Sequence, residues 1–161
     1  MDNAADREFH WILDGYNILY SKIPEGPKGS LEFMRHRLMA MAEKFWEKKG
    51  FPLTLVFDGT ADGSPESSRW GPGVRVIFSR GNLNADGVIL QLLSKDNRRV
   101  TVVTADLLLR DAVVRRGGNV MSPENFYREF RFLEQNDGSR KHGESKPGNF
   151  GRLLEEIEWE R

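Results

Sequence analysis

The sequence predicts one α/β domain whose central, mainly parallel β-sheet is flanked by helices. Short apolar runs alternate along the chain with longer segments in which apolar residues recur at helical spacing. The short runs are apolar at consecutive positions, which is typical of strands that helices cover on both faces. The chain has 161 residues, close to the roughly 150 residues of a single domain.

Four apolar runs are predicted to form the main strands of this sheet, because they are rich in β-branched residues and are bounded by polar or turn-forming residues. These runs are HWILD (10–14), LTLVFD (53–58), VRVIF (74–78) and VTVVT (100–104). Asn119 and Val120 are predicted to form a further short strand. Residues 59–73 are rich in Gly, Ser and Pro and are predicted to be a long loop.

The first predicted helix begins after Ser30, a favourable N-cap residue, and ends at Gly50. Its apolar face consists of residues three or four positions apart, namely Leu31, Met34, Leu38, Met41 and Phe45. A shorter helix is predicted from the spacing of Val88, Ile89, Leu92 and Leu93.

Two further helices follow. One is predicted over residues 107–116, where Gly117 and Gly118 end it. The next begins with Ser122 as its cap and Pro123 in its first turn, and it is expected to run to about Gln135.

The predicted domain covers residues 8–136, and the rest of the chain differs in composition. Residues 137–149 are polar and Gly-rich and are predicted to be a flexible linker. Residues 150–161 are predicted to be an amphipathic tail, in which four apolar residues oppose a run of Glu: Phe150, Leu153, Leu154 and Ile157. Such a tail either docks on the domain, stays solvated, pairs with another copy or binds a partner.

Composition limits the classes of function. Lys plus Arg and Asp plus Glu both number 24, so the net charge is zero, whereas bulk electrostatic binding of nucleic acid requires a basic protein. A nucleic-acid role must therefore depend on a local basic patch or on a partner. The absence of Cys excludes disulfides and thiolate metal sites, and the three scattered His argue against zinc. Because the N-terminus is polar and no apolar run reaches 18 residues, we expect a cytoplasmic protein without membrane contact.

Four aspartates occupy positions where parallel α/β sheets bind ligands, beyond the carboxyl ends of the strands. Asp14, Asp58 and Asp106 follow apolar runs, and Asp86 precedes the short helix. Each alone is also explained as a turn former or helix cap. Together, four carboxylates would repel unless a hard divalent cation with oxygen ligands, Mg²⁺ or Mn²⁺, neutralised them. Because such an ion activates water and offsets charge on a phosphodiester, the prediction is metal-dependent phosphodiester hydrolysis.

Of these aspartates we predict Asp14, Asp86 and Asp106 as catalytic residues, together with Asn17. Asn17 either orients a water or contacts a phosphate, or it caps the turn after the first strand. The remaining candidates, for nucleic-acid binding, are Arg35, Lys22, Lys28, Arg80 and Trp70. Arg35 suits a bidentate phosphate contact or an ion pair with one of the aspartates, and the other three cations suit a basic rim or ordinary solvated positions. Trp70 either stacks on a base or covers the core.

Other enzyme classes lack their motifs. The sequence contains no GxxxxGK[ST] loop, no GxGxxG loop and no GxSxG elbow. A phosphatase acting on small phosphomonoesters with Asp14 as nucleophile is a weaker alternative. Tyr16 occupies the position where such enzymes usually carry a second Asp.

The segment Asp14–Ile18 (DGYNI) after an apolar strand resembles the opening of the YacP-like NYN domains, relatives of the PIN nucleases. Further matches follow in the same order and bring the resemblance to roughly residues 9–135: Arg35, residues 56–59 (VFDG), 84–86 (NAD), 102–106 (VVTAD), Gly117, Gly118, Ser122 and Phe126. The resemblance implies a PIN-like three-layer fold and metal-dependent endoribonuclease activity on RNA. Some members of this group act on messenger RNA at the ribosome.

One position departs from the family pattern. The family usually carries two acidic residues in tandem after the alanine, and here the second of them is Gly87. If that second carboxylate helps to hold metal or to position water, activity is reduced or lost. The alternative function is therefore an RNA- or ribosome-binding module with a decayed catalytic site.

Overall fold

The computed structural model describes residues 8–24, 26–59 and 66–137. Within these ranges the chain alternates between strands and helices. In chain order the elements are β1 (Phe9–Asp14), α1 (Gly15–Leu19), α2 (Leu31–Lys49), β2 (Leu53–Asp58), β3 (Glu66–Gly71), β4 (Val74–Ser79), α3 (Ala85–Lys95), β5 (Arg99–Val103), α4 (Leu107–Arg115), β6 (Asn119–Met121) and α5 (Pro123–Asp137).

The six strands form one sheet in the order β3-β4-β2-β1-β5-β6. All neighbouring pairs are parallel except β3 and β4, which are antiparallel. After β1, the chain adds β2 and β4 on one side of β1 and then places β5 and β6 on the other side. The strand order therefore reverses between β1 and β5, and this is the position at which open α/β sheets bind ligands.

Helices cover both faces of the sheet, each with its own buried cluster. On one face, Leu13 and Phe57 of the sheet pack with Phe45 of α2 and Phe126 of α5. On the other face, α3 and α4 cover a second cluster that includes fully buried Ile12. The predicted three-layer α/β fold with a mainly parallel sheet is confirmed.

The local signals at the ends of α2 act as expected. The Ser30 hydroxyl accepts a hydrogen bond from the backbone N–H of Phe33 at 3.1 Å, which satisfies one of the free amides of the first turn. Gly50 ends the helix with a φ of 84°, a left-handed conformation that glycine adopts without steric cost.

Two elements were not predicted. The region from residue 59 to residue 73, expected to be a loop, contains strand β3, whose backbone pairs with β4 although its sequence ESSRWG lacks an alternating apolar pattern. Helix α1 has five residues, too few for helical periodicity to be visible in the sequence.

The C-terminal predictions fall mostly beyond the described residues. Helix α5 continues to Asp137 rather than ending near Gln135, so the first residue assigned to the linker is helical. The remainder of the predicted linker and the tail at 150–161 lie outside the described residues. In the part of the chain that is described, no helix is both long and apolar enough to cross a membrane.

Candidate active site

The structure brings the four predicted aspartates to the carboxyl ends of the parallel strands. This end of the sheet, which carries Asp14, Asp58, Asp86 and Asp106, is called the aspartate edge. Asp14 and Asp58 are the last residues of the parallel neighbours β1 and β2. Asp106 lies just beyond β5, on the other side of β1, and Asp86 is in the first turn of α3. The other three carboxylates all raise the pKa of Asp14 by charge repulsion, so the four side chains share one electrostatic environment.

Asp14 is the most buried of the four, with 6% of its surface exposed. Its pKa is raised to about 6, mainly by burial and further by repulsion from the other three aspartates, while the hydrogen bond from Thr104 acts in the opposite direction. A carboxylate in such a place is unfavourable when ionised unless a cation or a proton neutralises it.

Thr104 connects two of the predicted catalytic residues. Its Oγ1 donates to Oδ2 of Asp14 at 2.7 Å and accepts from the backbone N–H of Asp106 at 3.1 Å. The side chain is fully buried. The sequence alone assigns no role to Thr104. The available signals were its place in the VVTAD segment (102–106) and its position between a buried strand and a candidate aspartate.

Asp106 caps helix α4, which is the alternative role that the sequence predicts for each aspartate. Its Oδ1 accepts hydrogen bonds from the backbone N–H groups of Leu108 at 2.9 Å and Leu109 at 3.2 Å. Both bonds use Oδ1, so capping is compatible with a ligand on Oδ2.

Asp58 anchors the start of helix α3. Its Oδ1 accepts from the Ser79 hydroxyl at 3.1 Å and from the backbone N–H of Ala85, the first residue of α3, at 2.8 Å. Asp58 thereby helps to place Asp86, the next residue along that helix. The carboxylate of Asp58 is itself exposed at the sheet edge.

The interpretation of Asp86 as a helix cap is wrong, because Asn84 occupies that position. The Asn84 side chain accepts a hydrogen bond from the backbone N–H of Gly87 at 2.9 Å. Asp86 is half-buried, and burial raises its pKa, with further contributions from repulsion by Asp106 and Asp58. Its carboxylate is therefore available to the cluster rather than used by the helix.

Asn17 braces the segment after β5 rather than the turn after the first strand. Its Oδ1 accepts a 2.7 Å hydrogen bond from the backbone N–H of Ala105, 88 residues away. Asn17 thus ties α1 to the residue that precedes Asp106. The neighbouring Gly15 is required by close packing, because a Cβ there would lie 2.3 Å from the ring of Phe57.

Arg35 contacts Tyr16 rather than an aspartate. Its Nη1 donates to the Tyr16 hydroxyl at 3.2 Å, and the Tyr16 ring packs against Phe57 at a centroid distance of 4.9 Å. The guanidinium is consequently held beside α1, the helix that begins directly after Asp14.

The structure places three further predicted RNA-binding cations in two segments of the chain. Lys22 and Lys28 lie in the segment after α1, and Nζ of Lys28 donates to the carbonyl groups of Pro24 at 2.9 Å and Gly26 at 3.4 Å. Arg80 follows β4, whose last residue pairs with Asp58.

Trp70 lies away from the aspartates. It belongs to β3 beside Gly71, which pairs with Val74 at the opposite end of β4 from Asp58. Its ring stacks on His36 at a centroid distance of 5.8 Å. The structure does not bring Trp70 to the site, and base stacking by this residue stays a prediction.

The sequence comparison decides the family. The model of the YacP-like NYN domain matches residues 11–158, which is most of the chain. The chain belongs to the YacP-like NYN domain family. This is a family of nuclease-type domains.

Solved structures agree with this assignment at the level of the fold. The crystal structure of Rae1 (YacP) from Bacillus subtilis has a TM-score of 0.66 and 24% identity, covering 93% of this chain and 90% of that one. Its W164L mutant has a TM-score of 0.67 and 24% identity, covering 92% and 89%. No curated protein matches the sequence.

The donor set of this NYN domain fits a hard divalent cation, although the described residues contain no compact group of three or more His, Cys, Asp or Glu side chains already at metal-binding separation. The available donors are carboxylate, hydroxyl and amide oxygens, which are the ligands that Mg²⁺ and Mn²⁺ prefer. Burial, with repulsion from the other three aspartates, raises the pKa of Asp14, so a cation beside this carboxylate would favour its ionised form.

Gly87, where the family resemblance leads us to expect a second acidic residue, lies in the first turn of α3. A Cβ at Gly87 would lie 2.5 Å from Cδ1 of Leu83, which is the tip of a flexible side chain. A side chain is therefore accommodated at this position after a small movement of Leu83.

Proposed function

We propose that this NYN domain is a metal-dependent endoribonuclease that hydrolyses RNA phosphodiester bonds with Mg²⁺ or Mn²⁺. The observation that carries the proposal is the convergence of four aspartates on one sheet edge, where burial and mutual repulsion raise the pKa of Asp14 to about 6. The family is of nuclease type, and membership in such a family supports hydrolysis of RNA by this chain.

Asp14, Asp58, Asp86 and Asp106 would hold the cation. When bound, Mg²⁺ or Mn²⁺ supplies an activated water and neutralises charge on the phosphodiester. The Thr104 hydroxyl holds Oδ2 of Asp14 in place. Asn17 holds the segment that carries Asp106, and Asp58 holds the helix that carries Asp86.

RNA would be held by local charge, since the net charge is zero. In this proposal Arg35, Lys22, Lys28 and Arg80 contact the backbone phosphates of the RNA. Messenger RNA on the ribosome is the specific substrate that we propose, on the basis of the family resemblance.

The test replaces Asp14 and Asp106 together by Asn, which preserves side-chain shape and, at position 106, the ability to cap a helix. The substrate is an RNA oligonucleotide labelled at both ends, in Mn²⁺, with circular RNA to identify endonucleolytic cleavage. We expect wild type to cleave both forms and the double variant to lose cleavage, whereas Asp111→Asn, an exposed change on α4, leaves it intact. Unchanged cleavage by the double variant would refute the proposal.

Gly87 favours a second candidate, an RNA- or ribosome-binding module with a decayed catalytic site. Calorimetric titration with Mn²⁺ separates the two functions. Mn²⁺ binding that disappears in the Asp14→Asn, Asp106→Asn variant supports the enzyme. RNA binding by a protein that binds no Mn²⁺ supports the module.

A further inference from the structure

Three aromatic rings form a stack that leads from the core of the domain to its surface at helix α1. The innermost ring belongs to Phe57, which is fully buried, and the Tyr16 ring packs on it at a centroid distance of 4.9 Å. The Tyr20 ring stacks on Tyr16 at a centroid distance of 5.8 Å, with 23° between the two ring planes. Both distances are typical of aromatic pairs that attract each other. Tyr20 is therefore the outermost member of a supported stack.

The outer face of the Tyr20 ring is open to solvent. The residue is 59% exposed although Tyr16 covers one side of its ring, so the exposed area includes the side that faces away from Tyr16. A tyrosine ring that is already held in place binds a flat partner at a low cost in conformational entropy. This ring face is suited to stacking on another planar group.

Tyr20 is close to the proposed catalytic residues. It directly follows α1, which itself begins after Asp14, so the two residues are separated by about 9 Å along a helix axis at about 1.5 Å per residue. Asn17, one turn before Tyr20, accepts a hydrogen bond from the backbone N–H of Ala105. Because Ala105 directly precedes Asp106, α1 lies against the segment that carries a second aspartate of the cluster.

Two cations are next to this stack. Arg35 donates from Nη1 to the hydroxyl of Tyr16, the ring beneath Tyr20, at 3.2 Å. Lys22 follows Tyr20 by two residues. A base and its flanking phosphates would therefore meet an aromatic face and positive charge in the same region, which is the combination that binds single-stranded nucleic acid.

We propose that the outer face of the Tyr20 ring stacks on one base of the single-stranded RNA substrate, close to the bond that is cleaved. Every base has a flat π-face, so this contact binds RNA without reading its sequence. Arg35 and Lys22 contact phosphates on either side of that base. Trp70, which the sequence indicated for base stacking, is at the opposite end of β4 from the aspartate edge. The inference rests on the proposed function, because it makes Tyr20 a residue that positions RNA at the aspartates.

The test places a single abasic site at successive positions of a short labelled RNA and measures binding in EDTA by fluorescence anisotropy. In wild type, one abasic position should weaken binding by about fivefold or more, which is the lower limit for one stacked base. Tyr20→Leu removes the aromatic ring but keeps Tyr16 covered. It should bind intact RNA about fivefold more weakly, and the same abasic position should cause no further loss. A purely structural role of Tyr20 would instead leave the effect of the abasic site unchanged.

Two variants serve as matched controls. Tyr20→Phe retains the ring and should bind both intact and abasic RNA as wild type does. Phe132→Leu makes the corresponding change at another ring that is 59% exposed, about 14 Å along α5 from the start of that helix, and it should also behave as wild type does.

A spectroscopic measurement detects the stack directly. The fluorescent base 2-aminopurine, placed at the sensitive position, should lose fluorescence when the RNA binds wild type or Tyr20→Phe, because stacking quenches it. It should keep its fluorescence on binding to Tyr20→Leu.

The outcomes separate this inference from the proposed function. Equal abasic effects in wild type and Tyr20→Leu, equal losses in Tyr20→Leu and Phe132→Leu, or no RNA binding by wild type would overturn the role of Tyr20. If cleavage that depends on the aspartates is still observed in that case, the nuclease proposal stands. A Tyr20-dependent abasic effect in a protein that does not cleave RNA would support the base contact and refute the nuclease reaction.

Discussion

Thr104 and Asp14 are 90 residues apart in sequence, and their side chains are joined by a 2.7 Å hydrogen bond across the ends of β5 and β1. This is the point at which the strand order of the sheet reverses. The same Thr104 hydroxyl accepts the backbone N–H of Asp106. One buried hydroxyl therefore positions a carboxylate on each side of the site.

Replacing Thr104 by Val removes this hydroxyl while preserving the shape of the side chain. It leaves Asp14 without its donor and the Asp106 N–H without its acceptor, and we expect a loss of about 1–3 kcal/mol in the free energy of unfolding. We also expect RNA cleavage in Mn²⁺ to fall by about tenfold or more, because the residues that orient metal ligands have effects of that size. Thr104→Ser retains the hydroxyl and should keep most of the activity. Wild-type cleavage by Thr104→Val would contradict this role.

Asp14→Asn should stabilise the protein in the absence of metal. The pKa of Asp14 is raised to about 6 by burial and by its acidic neighbours, so at pH 8 the ionised carboxylate opposes folding. Removing this charge should increase the free energy of unfolding by about 1–3 kcal/mol, measured by urea denaturation in EDTA at pH 8.

Adding Mn²⁺ should reverse the order of stability. A ligand that binds only the folded state stabilises it, so Mn²⁺ should stabilise wild type and have little effect on Asp14→Asn. Asp111→Asn is the control and should behave as wild type does. Equal Mn²⁺ stabilisation of wild type and Asp14→Asn would argue against a cation at Asp14.

Gly87→Asp should strengthen metal binding. The new carboxylate would lie in the first turn of α3, where the helix dipole favours negative charge, next to Asp86 and with only Leu83 required to move. We expect Mn²⁺ affinity, measured by calorimetry, and cleavage at limiting Mn²⁺ each to rise by about tenfold. Gly87→Ala separates the carboxylate from the backbone effect, because it should stabilise the helix by about 0.5–1 kcal/mol without changing Mn²⁺ affinity. Equal Mn²⁺ affinity in Gly87→Asp and Gly87→Ala would contradict a metal-binding role for this position.

A second buried polar network lies at the opposite end of the sheet. His10 at the start of β1 donates from Nδ1 to Asp96 at 2.7 Å and accepts at Nε2 from the Thr54 hydroxyl, 2.8 Å away. Burial acts to raise the pKa of Asp96, but hydrogen bonds from Arg98 and His10 together lower it to about 2. Burial lowers the pKa of His10, against the effect of Asp96.

This network should make the protein sensitive to acid. For both groups the unfolded chain binds protons at a higher pH than the folded chain, so stability falls as the pH falls. The contribution of His10 to the free energy of unfolding decreases below about pH 6.5. The contribution of Asp96 decreases between about pH 4 and pH 2. At pH 7, Asp96→Asn should lose about 2 kcal/mol in urea unfolding, and its difference from wild type should close through that lower range. Asp111→Asn should follow wild type throughout, and a pH-independent difference for Asp96→Asn would refute the ionic contribution.

Most of the fold was predictable because local sequence signals it directly. The apolar runs at 53–58 and 100–104 form β2 and β5, and Ser30 and Gly50 bound α2 as expected. The errors occur where local sequence is uninformative. Strand β3 is an edge strand whose pairing with β4 depends on backbone hydrogen bonds, and a polar segment such as ESSRWG carries no sign of them.

The candidate site was predictable in its residue types and less so in its contacts. The four aspartates were predictable because each has a recognisable place after a strand or at the start of a helix. The hydrogen-bond partners of the site residues were not predictable. Examples are Ser79, which donates to Asp58, and the backbone N–H of Ala105, which donates to Asn17. Trp70 shows the same limit, since its position at the far end of β4 depends on the antiparallel direction of β3.

The sequence by itself determined that this chain is an α/β protein of the YacP-like NYN type with acidic residues at the ends of its strands, because periodicity and short motifs are local properties. Only the tertiary structure decided that Thr104 bonds to Asp14 and that Asn17 bonds to the backbone of Ala105. The physical reason is that such contacts join residues far apart in the chain. They depend on which strands become neighbours and which helix covers them, and that is determined by the packing of the whole domain.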